Sequence, residues 1–193
     1  IPYQEKRDRV LGMAAIKYEL LEGLTVQVRS AIDYAADRNS QNRYNDTYTI
    51  ADRGQYITGN LTNYELNNDL LINYNKGFGD FSLNLSAGGN MLTQQWYGQN
   101  QNNGFLLKPN LFTVTNAGGL YISEYGATKK LNSVYGFATL GYKNYLFLDV
   151  TARNDWSSTL PPDAWSYFYP SVGLTWVVSD MFKSSMPGWL TFA

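Results

Sequence analysis

The sequence contains no cysteine and no histidine among its 193 residues. Without cysteine the chain has neither disulfides nor a thiol nucleophile, and without histidine it lacks the commonest acid–base and zinc-binding side chain. Such a chain crosses an oxidising periplasm without stray disulfides, although zero cysteine does not identify a compartment. The sequence also shows no paired carboxylates, nucleophile elbow or phosphate-binding loop in a suitable context. It therefore predicts a protein that is not an enzyme, with no metal and no cofactor.

The sequence has little net charge and no long apolar run. The formal net charge is −1 and no run of lysine or arginine occurs, so nothing indicates a nucleic-acid-binding face. No stretch reaches the roughly 18 apolar residues of a transmembrane helix. The mean hydropathy of −0.34 is uninformative, because the strands of a membrane barrel alternate lipid-facing and lumen-facing residues. The spacing of the apolar residues must therefore decide the fold class.

Residues 24–36 alternate between two kinds of side chain. Six of the seven even-numbered positions are apolar, whereas the odd-numbered positions are polar or charged except for two alanines. A repeat of two residues is typical of a β-strand with one apolar face. The segment is also longer than the average globular strand of about 5–6 residues.

The same alternation predicts further strands along the chain. An eighth strand is expected to begin near Trp189. The other six predicted strands are residues 10–20, 64–74, 81–91, 134–142, 146–152 and 168–178.

The connections between these segments mostly alternate between short and long. The short ones are Leu21–Gly23, Asn75–Asp80 and Tyr142–Asn144. Bacterial outer-membrane barrels have short periplasmic turns and long external loops, which produce this alternation. The predicted fold is therefore all-β, an antiparallel transmembrane barrel segment of about eight meandering strands. The longer connections are expected at about residues 37–57, 93–131, 154–166 and 180–188.

The lengths of the short turns agree with the faces of the strands that they join. Antiparallel neighbours must direct the same kind of residue to the same face. A three-residue Leu21–Gly23 turn joins two strands that are apolar at even positions, and the six residues of Asn75–Asp80 join strands that switch from even to odd. A three-residue Tyr142–Asn144 turn keeps Asp149 on the polar face. Gly23 and Asn144 are expected in the left-handed conformation.

Aromatic residues crowd the ends of the predicted strands. Amphipathic rings at both ends are expected of a barrel whose strands cross two headgroup layers, whereas in a soluble protein they would pack at the edge of a core. Eight of them lie near the short turns: Tyr18, Tyr74, Phe78, Phe81, Tyr142, Tyr145, Trp176 and Trp189. Three more, Tyr34, Trp156 and Phe168, lie near the opposite ends.

Two sets of residues are candidates for function. The first set comprises charged residues on the polar faces, which are expected to line the lumen or the pore rim: Arg29, Asp33, Asp69, Asp149 and Arg153. The second set lies in the predicted long loops, where aromatic faces beside amides suit the capture of a sugar or a peptide, although a solvated loop has the same composition. Its members are Trp96, Tyr97, Gln99, Trp156 and Trp165.

Three segments in the second half of the chain resemble a known family. Residues 132–136 read NSVYG, residues 141–158 read GYKNYLFLDVTARNDWSS and residues 169–180 read YPSVGLTWVVSD. In this order they resemble the barrel of the SusC/RagA-type TonB-dependent transporters of Bacteroidota.

The resemblance implies an integral outer-membrane protein that imports nutrients. Its barrel would have about 22 strands, with a plug, coupling to the TonB complex, a SusD-like lipoprotein as lid and a glycan or a peptide as substrate. On this basis residues 1–193 are expected to form one partial barrel domain, without the plug and the signal peptide.

Two alternatives remain open at the level of sequence. The first is a self-contained eight-stranded outer-membrane protein with an adhesive or structural role, which requires the first and last strands to pair. The second is a soluble carbohydrate-binding β-sandwich, which requires a protein layer over the apolar face of residues 24–36.

Overall fold

The structure is a computed structural model that describes residues 2–48 and 53–182. Within these ranges the chain forms one antiparallel sheet, and its strands follow one another in chain order. No helix in this part of the chain is long and apolar enough to cross a membrane. The elements are β1 (Tyr3–Leu21), β2 (Leu24–Arg43), β3 (Gln55–Phe78), β4 (Phe81–Asn102), β5 (Tyr121–Tyr142), β6 (Leu146–Ser157), β7 (Ser166–Trp176) and α1 (Val178–Met181).

The chain divides into two compact units. The first comprises residues 1–12, 32–66 and 93–129, and the second comprises residues 13–31, 67–92 and 130–193. The first unit holds the long connections 44–54 and 103–120, and the second unit holds the short turns together with β6 and β7.

The sequence predicted all seven of these strands, but most of the predicted ranges are too short. The predicted loop over residues 37–57 is wrong at both ends, because the connection covers only residues 44–54. The predicted loop over residues 93–131 is likewise too long, because the connection covers only residues 103–120. Backbone pairing continues where both faces of a strand are polar, so the end of the apolar alternation does not mark the end of the strand. The predicted eighth strand near Trp189 lies outside the described residues.

The alternation of faces is confirmed where the strands pair. In the β5–β6 ladder Thr139 lies opposite Asp149, and in the β6–β7 ladder Asp149 lies opposite Gly173. On β1 and β2 a Cβ added to Gly12 would lie 3.7 Å from Ile32 Cγ2, which places these two even-numbered residues on one face. On β3 and β4 Asn73 donates to Ser86 at 2.6 Å, which joins an odd to an even position, as the predicted switch requires.

The short turns join the predicted faces but are shifted or shorter than predicted, and only Glu22 and Gly23 separate β1 from β2 instead of Leu21–Gly23. Only Gly79 and Asp80 separate β3 from β4, instead of six residues, and Lys143–Tyr145 rather than Tyr142–Asn144 separate β5 from β6. Gly23 has a φ of 80° and Asn144 a φ of 61°, so both are left-handed as expected.

The apolar face of the sheet is bare. Val28 is 53% exposed on β2, and Leu148 and Val150 are exposed on β6. On β4 the apolar positions run over ten residue steps from Phe81 to Met91, which correspond to about 34 Å along the strand and about 25 Å along the normal of a barrel whose strands tilt by about 45°.

Among the described residues, the one buried apolar side chain is Leu106, which lies in the 103–120 connection and not in the sheet. A soluble sandwich needs a second sheet over the apolar face, and the described residues form a single sheet. The first and last strands, β1 and β7, stand at the two edges of this sheet and do not pair. The described part of the chain therefore supports neither the sandwich nor the closed small barrel.

Aromatic rings at the short turns of the second unit contact one another. Phe81 stacks on Phe78 at 6.0 Å and lies 4.9 Å from Tyr142, whose ring is 5.7 Å from Tyr145. Beside them Lys143 lies 3.4 Å from Asp80, and the Tyr142 hydroxyl and then this carboxylate raise the pKa of Lys143. These four rings therefore form a continuous row at the short turns, where the sequence predicted a cluster of eight aromatic residues, and Trp189 of that group lies outside the described residues.

Candidate functional site

The polar face of the first unit carries two ion pairs between β1 and β2. Arg7 donates to Asp37 at 2.9 Å, and Arg9 donates to Asp33 at 2.8 Å. All four residues are at odd positions, opposite the bare apolar series of Ile32 and its even-numbered neighbours. The arginine side chains remain more than half exposed, whereas Asp37 is nearly buried. This face of the first unit therefore presents exposed guanidinium groups, and their partner carboxylates are less exposed than they are.

A depression of about 440 Å³ lies beside these pairs. Its wall includes Arg9, Asp33, Glu65, Gln94 and Trp96, which come from β1, β2, β3 and β4. Gln94 donates to Glu65 at 2.7 Å, so the two polar side chains across β3 and β4 are mutually oriented. The volume falls within the range of about 300–1,000 Å³ of small-molecule sites. A flat ring beside fixed charges and an amide can stack on an apolar group while it hydrogen-bonds a polar one.

The structure separates the three candidates that the sequence placed in the loop after Thr93. Trp96, Tyr97 and Gln99 lie on β4 and not in a loop, which corrects that prediction. Trp96 is at an even position of β4, on the polar face with Gln94, whereas Tyr97 and Gln99 are at odd positions on the opposite face. Strand geometry therefore brings only Trp96 to the charged wall.

The other two aromatic candidates belong to the second unit. Trp156 is on β6, at a position opposite Ser166 of β7, and is not in a loop as predicted. Trp165 does lie in a connection, residues 158–165, where its carbonyl accepts from the Ser157 amide at 3.0 Å. Their even and loop positions do not place them on the polar face of the sheet.

The remaining charged candidates form the polar face of the second unit. Arg29 donates to Asp69 at 2.7 Å across β2 and β3. Asp149 accepts from the Thr139 hydroxyl at 2.6 Å. Arg153 donates to Asp155 at 2.7 Å and to the Ser133 hydroxyl at 3.0 Å. The predicted polar residues therefore lie on one face of their strands and are held by neighbouring side chains.

The sequence reasoning did not single out Arg7, Arg9, Asp37 or Glu65. Arg7 and Arg9 precede the first predicted strand, and Asp37 follows the end predicted for the second. A usable signal was present for Asp37, because it continues the odd-numbered polar series of its strand, whereas on β1 the odd positions after Arg9 are Leu11, Met13 and Ala15. The strand ends were judged from the apolar series alone, so these residues were lost.

The wall combines paired charges, an amide and one exposed aromatic ring. Residues 2–48 and 53–182 contain no cluster of three or more carboxylates that could hold a metal ion. The charged groups are paired or hydrogen-bonded, so they are arranged to orient polar parts of a ligand.

No protein-family model matches the chain, and no curated protein sequence matches it. Among solved structures, the RagAB peptide transporter superposes with a TM-score of 0.89 at 15% identity, over 96% of this chain and 21% of that one. The RagAB peptide importer in its closed-closed state gives 0.88 at 16% identity, with the same coverage of both chains.

A more distant match is the siderophore receptor PiuA from Acinetobacter baumannii. Its TM-score is 0.53 at 11% identity, over 90% of this chain and 29% of that one. These solved structures are of transport or receptor proteins. The chain spans about a fifth of the length of the RagAB chains that it matches. In fold, therefore, the chain is a segment of a SusC/RagA-like barrel.

Proposed function

We propose that the chain forms part of the barrel wall of an outer-membrane, TonB-dependent nutrient importer. One observation carries this proposal: strands of up to 24 residues have a bare apolar face and a face of paired charges. A lipid-facing band and a hydrated lumen require these two opposite faces. The likeness to RagAB and to a siderophore receptor supports the same role.

The substrate that we propose is a peptide or a glycan. RagAB is a peptide transporter, and paired arginines and carboxylates beside Trp96 suit a peptide, which carries charges of both signs and apolar side chains. The amides of Gln94 and its neighbours equally suit hydroxyl groups of a sugar. Both classes therefore enter the test.

The partners that we propose follow the resemblance to the SusC/RagA type. They are a SusD-like lipoprotein at the external mouth and the TonB complex, which would act through a plug. Because this chain covers about a fifth of the RagAB chains, all of these assignments refer to the full-length protein that contains it.

The test uses cells that lack the gene and cells in which the full-length protein is restored. Uptake of labelled oligopeptides and of labelled oligosaccharides is measured with and without a protonophore, because TonB coupling requires the proton gradient. We expect restored uptake of one of the two classes, abolished by the protonophore. Equal uptake in both strains, or uptake that the protonophore does not affect, would exclude an energy-coupled importer.

A further inference from the structure

A polar groove lies on the same face as the apolar band, within the first unit. Its volume is about 790 Å³. On β2 the even-numbered series of Ile32, Tyr34 and Ala36 continues into Arg38 and Ser40, so the outward face changes from apolar to polar along one strand. On β1 the same change occurs from Val10 to Lys6. The groove therefore begins where the apolar surface of this unit ends.

The lining of the groove includes residues of both faces of the strands, among them Asn39 and Gly59 at odd positions. A Cβ added to Gly59 would lie 2.8 Å from Asn39 Oδ1, so these two odd-numbered residues share the opposite, polar face. The groove is lined from the apolar side by Gln4, Lys6, Arg38, Ser40, Thr58 and Gln101. These six side chains are amides, hydroxyls and two cations, and the lining also includes Glu5.

The two cations share one carboxylate. Arg38 forms an ion pair with Asp8, and Lys6 lies 3.8 Å from the same residue. The side chain of Lys6 is 71% exposed and that of Arg38 is 60% exposed. The outward-facing rim of the groove therefore carries two exposed cations beside one carboxylate, whereas Glu5 lies at an odd position near Arg7.

The distance between the end of the apolar band and the cations of the groove indicates which lipid headgroups are long enough to reach them. Lys6 and Ser40 are each four residues beyond the last apolar residue of their strands, Val10 and Ala36, and Arg38 is two residues beyond Ala36. Four residues span about 14 Å along a strand, or about 10 Å along the membrane normal at a tilt of about 45°. A phospholipid headgroup layer is only about 5–7 Å deep. A headgroup that carries several sugars extends further and reaches this level.

We propose that the groove binds the phosphorylated sugar headgroup of an outer-leaflet glycolipid. Lys6 and Arg38 would contact the phosphate, because ammonium and guanidinium groups form charge-assisted hydrogen bonds with phosphate oxygens. The amides and hydroxyls of the groove would hydrogen-bond the sugars. This inference rests on the proposed membrane location, since only that location brings a lipid headgroup to this face.

The test uses the full-length protein in its native complex, purified in mild detergent. Native mass spectrometry measures the binding of lipid A that carries core sugars, with phosphatidylglycerol as the anionic lipid without sugars. We expect the wild-type protein to retain the glycolipid and the K6Q/R38Q variant to bind it about tenfold more weakly. The control variant R53Q/K108Q also removes two cations of the first unit, one of them hydrogen-bonded, but from the 44–54 and 103–120 connections outside the lining of the groove, and we expect it to bind the glycolipid as the wild type does.

Two results would overturn the glycolipid site. One is unchanged glycolipid binding in K6Q/R38Q, and the other is phosphatidylglycerol binding that equals glycolipid binding and falls to the same extent in this variant. Outer-membrane insertion and uptake are measured in parallel on the wild-type protein. If it inserts and imports but binds no glycolipid, the groove assignment fails and the proposed function stands. If it does not insert, the proposed function itself fails.

Discussion

Arg29 Nε donates to Asp69 Oδ2 at 2.7 Å and ties β2 to β3 on the polar face of the second unit. Asp69 has only 6% of its side chain exposed, whereas Arg29 has 46%. A nearly buried carboxylate is therefore compensated by a cation that still reaches solvent. Loss of this partner leaves a charge that water hydrates poorly.

The first prediction concerns this pair. We expect Arg29→Ala to destabilise the full-length protein by about 1–3 kcal/mol, because the Asp69 carboxylate loses its partner while it remains nearly buried. The measurement is the free energy of unfolding from urea titration in detergent. As a control, Arg38→Ala breaks an exposed ion pair and should cost less than about 1 kcal/mol. Equal losses in the two variants would mean that the burial of Asp69 has no energetic effect.

The second prediction concerns the two faces of β2. We expect Val28→Lys to destabilise the protein in lipid bilayers by about 2–4 kcal/mol, since a cation near the middle of a lipid-facing band is poorly solvated. The neighbouring Gln27→Lys places the same charge on the polar face and should change stability by less than about 0.5 kcal/mol. Unfolding in urea from lipid vesicles measures both. A similar loss for both variants would contradict the outward assignment of the even-numbered residues.

The third prediction concerns the aromatic ring that covers Gly88. A Cβ at this position would lie 2.7 Å from the Tyr135 ring and 2.7 Å from the Leu70 carbonyl oxygen. We expect Gly88→Ala to destabilise the protein by about 1–3 kcal/mol, because both ring and backbone must shift. Gly77→Ala is the control, since an added Cβ there meets nothing within 4 Å. An unchanged urea midpoint for Gly88→Ala would show that Tyr135 moves aside freely.

The fourth prediction concerns the depression beside Trp96 and depends on the proposed function. We expect Trp96→Ala to raise the half-saturating substrate concentration for uptake about tenfold, because an exposed ring on the charged wall is lost. Tyr34→Leu removes an exposed ring from the apolar face of the same unit and should leave uptake unchanged. Uptake is measured in cells with equal amounts of protein in the outer membrane. If Trp96→Ala imports like the wild type, the depression is not a substrate contact.

Much of the fold follows from local properties of the sequence. The alternation over residues 24–36 predicted a strand with one apolar face, since a strand directs successive side chains to opposite sides. The faces that the short turns join followed from the same rule, and the left-handed residues Gly23 and Asn144 followed from the backbone freedom of glycine and asparagine. These features need no contact between distant segments.

The candidate site was predicted only in part. Arg29, Asp33 and Asp69 were expected on the polar face, but their ion-pair partners were not identified. Trp96 lines the same depression as the Arg9–Asp33 pair, although these residues are far apart in sequence. Their proximity depends on how β1 to β4 align in the sheet. A shift of one residue in that alignment would turn Trp96 to the other face.

The sequence by itself therefore determined the all-β class, the two unlike faces and which faces the short turns join, because these depend on the two-residue repeat and on local backbone preferences. Only the tertiary structure decided how far each strand extends, because backbone pairing continues beyond the apolar series. It also decided which charges pair and where the polar groove lies, because these depend on the register between strands that are distant in sequence.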